Sequence, residues 1–385
     1  MSLGPYPERS WSLSKHKEFV ECRRKYFFST FEQWGGWELA APERKQRAYR
    51  LKKLFSFHAY LGRIIHDEIA AALRKSAFSI EESLSRVRKR LINAFNDSLN
   101  KQTRWEMDPK SIVMFQEVYY EREKWNKQAA DSQINELENK ARTCLQNFAV
   151  SNSFKRLQRE NCEIVEIEEG FPSFQLDGLK IFSVVDLLFR KSDGSMWIID
   201  WKTGKPNEDY EERQLKIYSM YVQQQHNIAL EEIYCTDEFL LEGESVGYSF
   251  TEEDISIEKQ RIRFSNKKME ELLADVKLNK PKDMSDFPKR SDGHCQFCSF
   301  REICLSDSSR SSITPEARSK EQNETTANSK TRIISRLPPG INRIIVDSPL
   351  RDEYGTSYDE LEEQFLWKER MAEMDSEMLT DEEDY

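Results

Sequence analysis

Hydrophobic residues recur along this chain with two different spacings, and the change between them falls near residue 160. Before that point apolar residues are three or four positions apart, which predicts helices over about 11–30, 57–75, 80–101 and 109–160. After it the apolar runs are short and separated by Asp-Gly turn signals, which predicts strands at 163–169, 172–176, 180–190 and 195–202, and two more within 231–250. Amphipathic helices are predicted again over about 208–225 and 251–279.

This order of elements predicts an α/β fold for residues 1–304, with a mixed sheet flanked by helices and a helical N-terminal elaboration. The helical part covers about 11–160 and the sheet about 162–250. Residues 305–331 are rich in Ser, Thr, Asn and Glu, which indicates a disordered linker.

Residues 332–385 form an acidic tail that we expect to be largely disordered. Apolar clusters within 332–372 make that segment a candidate for docking on a partner protein or for folding back over a basic groove. A tail that only aids solubility is the simpler alternative.

Charge is distributed unevenly along the chain. The 385 residues include 58 Lys+Arg and 68 Asp+Glu, a net charge of −10. The segment from Leu305 onward holds 10 basic and 19 acidic residues, and subtracting these from the totals leaves 48 and 49 for residues 1–304. Because a nearly neutral body can still carry a local basic groove, the net charge does not exclude a nucleic-acid partner.

The cysteine count and the apolar runs bear on the compartment. No run approaches the roughly 18 apolar residues of a membrane span, and the N-terminus lacks the apolar core of a secretory signal. Seven cysteines, an odd number, in a chain of this size argue against a disulfide framework. We therefore expect a cytoplasmic protein, without a membrane partner, whose cysteines bind metal or stay reduced.

Two carboxylates and a lysine lie within the most apolar strand-like segments. Asp186 falls in the segment 180–190, and Asp200 and Lys202 fall in 195–202. Side chains alternate along a strand, so Asp200 and Lys202 point to the same face. An unpartnered buried carboxylate is costly, and a divalent metal such as Mg²⁺ or Mn²⁺ is its strongest partner. The alternative is an edge hairpin with solvated charges, but the apolar flanks on both faces favour burial.

Asp186 followed by Asp200-Trp201-Lys202-Thr203-Gly204 resembles the catalytic core of the PD-(D/E)xK nuclease superfamily, and more narrowly its RecB-like branch. That branch includes the CRISPR-adaptation nucleases and the nuclease domains of helicase–nucleases. The resemblance covers roughly residues 11–304. It implies a restriction-endonuclease-like fold, with Asp186 and Asp200 as metal ligands and Lys202 as the catalytic lysine.

His66 lies four residues after Gly62 on the apolar face of the predicted helix 57–75. On spacing alone, a packed core histidine is the more common interpretation of such a position. The matching histidine of the family is a metal ligand, so the resemblance implies that His66 completes the metal site. The backbone carbonyl of Trp201 is a further candidate ligand.

Gln214 and Tyr218 are four residues apart on the helix after the acidic strand and share a face. An ordinary amphipathic helix would show the same pattern. The resemblance implies that Gln214 lies near Lys202 and the substrate phosphate, with Tyr218 in a supporting role.

Four cysteines bracket the predicted nuclease body. Cys295, Cys298 and Cys304 have the spacing C-x2-C-x5-C, and Cys22 is the candidate fourth thiolate. Four thiolates suit an iron–sulfur cluster or zinc, and His294 could substitute in a zinc site. In the iron–sulfur members of the branch, one N-terminal cysteine joins three C-terminal ones around a [4Fe–4S] cluster, so the resemblance implies this cluster. The other three are interpreted as core cysteines: Cys144, Cys162 and Cys235.

The roles of two further sets of residues remain open. The strand before Asp186 carries four further candidate carboxylates, and the sequence neither chooses between them nor places any of them in the site: Glu163, Glu166, Glu168 and Glu169. Several aromatic residues near basic ones could stack on single-stranded bases. Packing within the helical part is the more common role for each of them. These residues are Trp34, Trp37, Trp105, Tyr26 and Phe27.

These residues together predict a metal-dependent phosphodiester hydrolase acting on DNA. The branch implies a single-strand exonuclease in repair, recombination or defence. The rival hypothesis is a DNA-binding or structural subunit of a larger nuclease or helicase complex with little chemistry of its own. A scaffold has no need of Asp186, Asp200 and Lys202, so their presence together favours the enzyme.

Overall fold

The computed structural model describes residues 4–75, 78–168, 170–205, 208–290 and 294–309. Residues 1–305 group into one compact unit. The predicted linker from residue 310 onward, the docking segment 332–372 and the acidic tail lie outside the described residues. The first residues of the predicted linker are helical instead, because the last helix runs over Arg301–Ser309. The domain boundary at 304 stays a prediction.

The N-terminal segment is not the single helix predicted over about 11–30. Ser12 caps its first helix by accepting a hydrogen bond from the Lys15 N–H. The helix then stops at Cys22, whose φ of −163° is extended. The elements in order are β1 (Ser10–Trp11), α1 (Leu13–Glu21), α2 (Arg23–Phe27) and a π-helical turn (Phe28–Glu32). Residues 34–37 form a turn.

Seven helices follow before the main sheet. They are α3 (Glu43–Leu51), α4 (Phe57–Lys75), α5 (Ile80–Asn100), α6 (Gln102–Met107), α7 (Gln116–Tyr120), α8 (Lys127–Val150) and α9 (Asn152–Arg159), with two short paired strands, β2 (Leu54–Phe55) and β3 (Met114–Phe115). The predictions for 57–75 and 80–101 are confirmed. The continuous helix predicted over 109–160 is wrong, because Ser151 is extended and caps α9 through the Phe154 N–H.

Two sheets follow the helices. Their strands are β4 (Cys162–Ile167), β5 (Ser173–Leu176), β6 (Leu179–Phe182), β7 (Leu187–Lys191), β8 (Met196–Lys202), β9 (Ile233–Phe239) and β10 (Glu244–Tyr248), together with β1. A three-stranded sheet has the order β1-β6-β5, and a five-stranded sheet has the order β10-β9-β8-β7-β4. Only β8 and β9 pair in parallel in the larger sheet. The fold is therefore the expected α/β arrangement, with a mixed sheet and flanking helices consistent with a restriction-endonuclease-like fold.

Two helices and a short hairpin complete the chain before the C-terminal cysteines. They are α10 (Glu208–His226), α11 (Glu252–Glu270), β11 (Leu273–Asp275) and β12 (Lys280–Pro281), and the final helix α12 is Arg301–Ser309. The helix predicted over 251–279 thus ends at Glu270, and the chain beyond it forms the hairpin.

The larger sheet separates two apolar cores. Ile198 on β8 packs in the core that contains Leu215 of α10. Ile199 and Trp201 pack in the other core, which contains Ile65 of α4. Because side chains alternate along β8, Asp200 and Lys202 face α10, while Trp201 faces α4. The two cores therefore fix which helix meets each polar residue of this strand.

A buried ion pair joins α10 to α11. Arg213 Nε lies 3.1 and 3.2 Å from the two carboxylate oxygens of Glu258, whose side chain is 0% exposed. Removing the Glu258 carboxylate takes two hydrogen-bond acceptors away from the buried guanidinium. We predict that Glu258→Ala lowers the free energy of unfolding by about 3–5 kcal/mol in chemical denaturation.

The matched control is Glu136→Ala, which breaks the largely exposed i,i+4 pair with Lys140 on α8. That change is expected to cost less than about 1 kcal/mol. Equal stabilities of the two variants would show that the buried pair of Arg213 and Glu258 contributes no more to the free energy of unfolding than an exposed pair does.

Candidate active site

Three ligand-type side chains from separate parts of the chain meet beside the larger sheet. His66 comes from α4, Glu168 follows β4, and Asp186 precedes β7. His66 Nδ1 lies 2.8 Å from Glu168 Oε1 and 3.5 Å from Asp186 Oδ1. The ligand atoms of all three residues lie within 4.8 Å of one another. One imidazole nitrogen and two carboxylate oxygens at this spacing fit a divalent cation, and hard oxygen ligands suit Mg²⁺ or Mn²⁺.

The position of His66 depends on a close approach of α4 to the end of β8. A Cβ atom at Gly62 would lie 3.0 Å from Thr203 Oγ1, tighter than most side chains tolerate. Glycine therefore lets the helix come near the strand. One turn later the His66 ring meets the Trp201 indole edge to face, with centroids 6.0 Å apart. Gly62 thus lets α4 approach the end of β8, and the spacing of four residues places the His66 ring beside Trp201.

Asp186 lies at the point where the chain passes from one sheet to the other. The strand predicted over 180–190 is wrong at this point, because β6 ends at Phe182 and β7 begins at Leu187. The four residues between them leave the three-stranded sheet and enter the five-stranded one. Asp186 Oδ2 accepts a hydrogen bond from the Trp201 N–H at 2.7 Å. Trp201 therefore contacts Asp186 through its backbone N–H. The role of the Trp201 carbonyl as a metal ligand stays a prediction.

Glu168 is the member of the site that sequence reasoning did not single out. Of the four candidates on this segment, Glu163 pairs with Arg190 and Glu166 accepts from the Tyr221 hydroxyl. Glu169 lies outside the described residues. Glu168 has a φ of 34°, in the left-handed region that is uncommon for residues other than glycine. Strain of this kind clusters at functional sites.

Asp200 and Lys202 lie at the end of β8 and face α10. Lys202 Nζ lies 2.5 Å from Asp200 Oδ2 and donates to Gln214 Oε1 at 2.6 Å. Gln214 Nε2 in turn lies 3.3 Å from Asp200 Oδ1 and also contacts the Tyr218 hydroxyl. The structure therefore brings all four residues together in one hydrogen-bonded network.

The two aspartates have opposite pKa shifts. Burial raises the pKa of Asp200 to about 6, and repulsion from Asp186 adds to the rise. Burial acts in the same direction on Asp186, but His66 and the Trp201 N–H outweigh it and hold its pKa below the usual range. Burial acts to lower the pKa of His66, but Asp186 and Glu168 raise it well above its ordinary value. The carboxylates thus favour the protonated form of His66 when no metal is bound, and binding of a metal would displace that proton.

The four predicted cluster cysteines line one cavity of about 550 Å³. Cys22 lies at the break between α1 and α2, and Cys295, Cys298 and Cys304 lie in the C-terminal segment. None of these four cysteines forms a disulfide within the described residues. Burial raises the pKa of Cys298 to about 11. Basic side chains also line the cavity, namely Lys25, Lys289, Arg290 and Arg301. The side chain of His294 is outside the described residues.

The remaining cysteines and aromatic candidates mostly pack. Cys144 and Cys235 are buried, as predicted, and Cys162 is partly exposed on β4. Three of the aromatic candidates are buried in the protein, which favours the packing interpretation for them: Trp105, Tyr26 and Phe27. Trp34 and Trp37 are half-buried and meet edge to face.

Comparison with known proteins places the chain in a family. A family model of the PD-(D/E)XK nuclease superfamily matches residues 10–305. No curated protein sequence matches the chain. Within the described residues, none of the longer helices has the apolar character that crossing a bilayer requires.

The role of Glu168 can be tested by metal binding alone. We predict that Glu168→Gln weakens Mn²⁺ binding at least about tenfold. The change removes one of the two carboxylates in the group of His66, Glu168 and Asp186. Isothermal titration of the metal-free protein measures this directly.

Glu166→Gln is the matched control, since Glu166 lies two residues away and contacts Tyr221. Its Mn²⁺ affinity is expected to match the wild type. An unchanged affinity for Glu168→Gln would remove Glu168 from the ligand set.

Proposed function

Because the chain belongs to the PD-(D/E)XK nuclease superfamily, we propose that it is a metal-dependent deoxyribonuclease that hydrolyses phosphodiester bonds. The observation that carries this proposal is the convergence of His66, Glu168 and Asp186 within 4.8 Å, beside the paired Asp200 and Lys202. Such a set combines metal ligands with a cation that can act on a phosphate.

Each residue has a defined task in this proposal. His66, Glu168, Asp186 and Asp200 would hold Mg²⁺ or Mn²⁺, which supplies Lewis-acid polarisation of the phosphate when bound. Lys202 extends its ammonium toward the substrate side and stabilises negative charge that develops on the phosphate oxygens. Gln214 fixes Lys202 through its amide oxygen, and Tyr218 fixes Gln214.

We assign the chain to the RecB-like branch, and the spacing of its motifs supports this. Gly62 and His66 on α4 and Gln214 and Tyr218 on α10 flank the acidic residues in the order and spacing of that branch. The branch supports a single-stranded DNA substrate and exonucleolytic cleavage from an end, in repair, recombination or defence.

We propose that Cys22, Cys295, Cys298 and Cys304 hold a [4Fe–4S] cluster. Among the described residues, no three cysteine sulfurs lie within 4.8 Å of one another. Four thiolates on one zinc ion would lie roughly 3.8 Å apart, given Zn–S bonds of about 2.3 Å. The wider spacing and the cavity of about 550 Å³ suit a larger group. The basic lining would also balance the negative charge of a thiolate-bound cluster.

The catalytic assignment predicts the behaviour of two variants. Asp200→Ala and Lys202→Ala are each expected to lower Mn²⁺-dependent cleavage of single-stranded DNA at least about a hundredfold while the protein stays folded. The assay uses 5′- and 3′-labelled strands with Mn²⁺ or EDTA, and circular dichroism checks folding.

Lys180→Ala is the control, because Lys180 pairs with Glu8 away from the site. Wild-type activity in folded Asp200→Ala or Lys202→Ala would refute the assignment. A wild-type protein that binds DNA but does not cut it would instead favour the rival role as a structural subunit.

The cluster assignment predicts a coloured protein. Anaerobically purified wild type is expected to show broad visible absorbance with bound iron and sulfide, and Cys22→Ser to lose both. Cys162→Ser is the control, since Cys162 lies on β4 and not in the cavity lining. A colourless wild type with stoichiometric zinc would refute the cluster.

A further inference from the structure

A second polar cavity, of about 480 Å³, lies apart from the candidate active site and the cysteines. Residues of the N-terminal segment, α1, the π-helical turn and the end of β6 form its walls. Two lysines line it together with hydroxyl and amide side chains: Lys15, Lys52, Ser12, Ser14, Thr30 and Gln33. Its size is typical of small-molecule sites, and none of the roles assigned above uses it.

Neutral oxygen atoms hold both lysines of this cavity. Lys15 Nζ donates to the Ser10 carbonyl at 2.8 Å and lies 2.9 Å from the Ser10 hydroxyl. Lys52 Nζ donates to the Ser29 carbonyl at 2.5 Å. An ammonium has three N–H donors, so one donor of Lys15 and two of Lys52 have no acceptor among the described residues. These donors are available to a ligand.

Two acidic side chains also line the cavity, and neither forms an ion pair with these lysines. Glu8 pairs with Lys180 at 3.0 Å, and its side chain is 71% exposed. Glu18 Oε2 accepts a hydrogen bond from the Ser29 hydroxyl at 2.5 Å. The carboxylates are therefore engaged elsewhere, and the two ammonium groups lack a direct counter-charge in the part of the chain that the structure describes.

The two lysines also repel each other. Burial and then Lys52 lower the pKa of Lys15 to about 8, and the opposing effect of Glu18 is smaller. Burial likewise lowers the pKa of Lys52. An anion bound between the ammonium groups would offset both effects, because a nearby opposite charge favours the protonated amine.

A phosphate group fits the donors of this cavity. Its oxygens can accept charge-assisted hydrogen bonds from both lysines at once. The Ser12 and Ser14 hydroxyls lie 3.1 Å apart at the start of α1, where the first backbone N–H groups of a helix also favour an anion. Trp34 is half-buried and lines the same cavity, so an aromatic surface for a nucleobase lies beside the donors.

We propose that this cavity binds the phosphate of a nucleotide, with Lys15 and Lys52 as the charged donors and Trp34 as the wall beside the base. A free mononucleotide and a DNA strand both carry such a phosphate, and the experiment separates these two sources. The proposal does not depend on the nuclease function, because the lining of the cavity shares no residue with the candidate active site.

The test follows the acylation of Lys15 in the full-length protein with EDTA present, so that no cleavage is needed. Acetic anhydride modifies the free amine, and mass spectrometry measures the rate at Lys15. Three compounds are compared as protecting ligands: deoxyadenosine monophosphate, deoxyadenosine, and a single-stranded oligonucleotide of deoxyadenosine. Titration calorimetry then gives their affinities for wild type, Lys15→Met and Lys52→Met.

Lys53→Met is the matched control for the two variants. Lys53 follows Lys52 directly, but its ammonium lies over the Tyr49 ring, 5.4 Å from the centroid, and it is not part of the cavity lining. Its affinity for each compound is expected to match that of the wild type. Circular dichroism checks that all variants are folded.

A phosphate-bearing compound is expected to protect Lys15. At about twice its Kd or more it should slow the acylation of Lys15 at least about threefold, because only the unoccupied form reacts. Deoxyadenosine, which lacks the phosphate, should give no protection. Lys15→Met and Lys52→Met should each weaken binding at least about tenfold, since each removes a charge-assisted hydrogen bond. Protection by the mononucleotide identifies a free nucleotide as a sufficient ligand, and protection by the strand alone identifies a DNA phosphate.

Any of three results would overturn the proposal. One is an unchanged acylation rate of Lys15 in wild type with both phosphate-bearing compounds, and another is equal protection by deoxyadenosine. The last is wild-type affinity in folded Lys52→Met. The first two results need only the wild-type protein, so they decide the question even where a variant fails to fold. A wild type that cuts no DNA would refute the nuclease function and leave this test unaffected.

Discussion

Mutual repulsion among carboxylates at one place in the fold is the constraint on which the rest of this structure depends. In the part of the chain that the structure describes, Glu168, Asp186 and Asp200 gather around one lysine and one imidazole. The opposed pKa shifts have different causes: burial and then repulsion from Asp186 raise the pKa of Asp200, whereas His66 and the Trp201 N–H outweigh burial and lower that of Asp186. A divalent cation would relieve this repulsion more strongly than a single ammonium or imidazolium group.

The two cores on either side of the sheet serve to hold these charges in place. The core with α4 positions His66 and buries Trp201, whose N–H holds Asp186. The core with α10 positions Gln214, which holds Lys202. The acids come from two strand ends and one crossing between sheets, so neither helix layer alone could form the site. Stability of the cores and geometry of the site are thus linked through β8.

Sequence reasoning predicts the parts of the site that follow strand and helix periodicity. Asp200 and Lys202 share a face because side chains alternate along a strand. The role of His66 is implied only by the family resemblance, since the helical spacing alone favours a packed core histidine. Glu168 could not be chosen in advance, because the pairing of β4 with β7 shifts between Ile164 and Glu166 and breaks the alternation. Asp186 was placed on a strand because an apolar run conceals the crossing between two sheets. The positions of Glu168 and Asp186 both depend on which strands pair in the tertiary structure, and the local sequence pattern does not contain this information.

The most direct test of this account is anomalous X-ray scattering from crystals of the wild-type protein grown with Mn²⁺. The account predicts a manganese peak within bonding distance of His66, Glu168 and Asp186, and its loss in Glu168→Gln crystals grown in the same way. A wild-type structure with these side chains in place but no manganese peak among them, or with the ion bound only elsewhere, would contradict it.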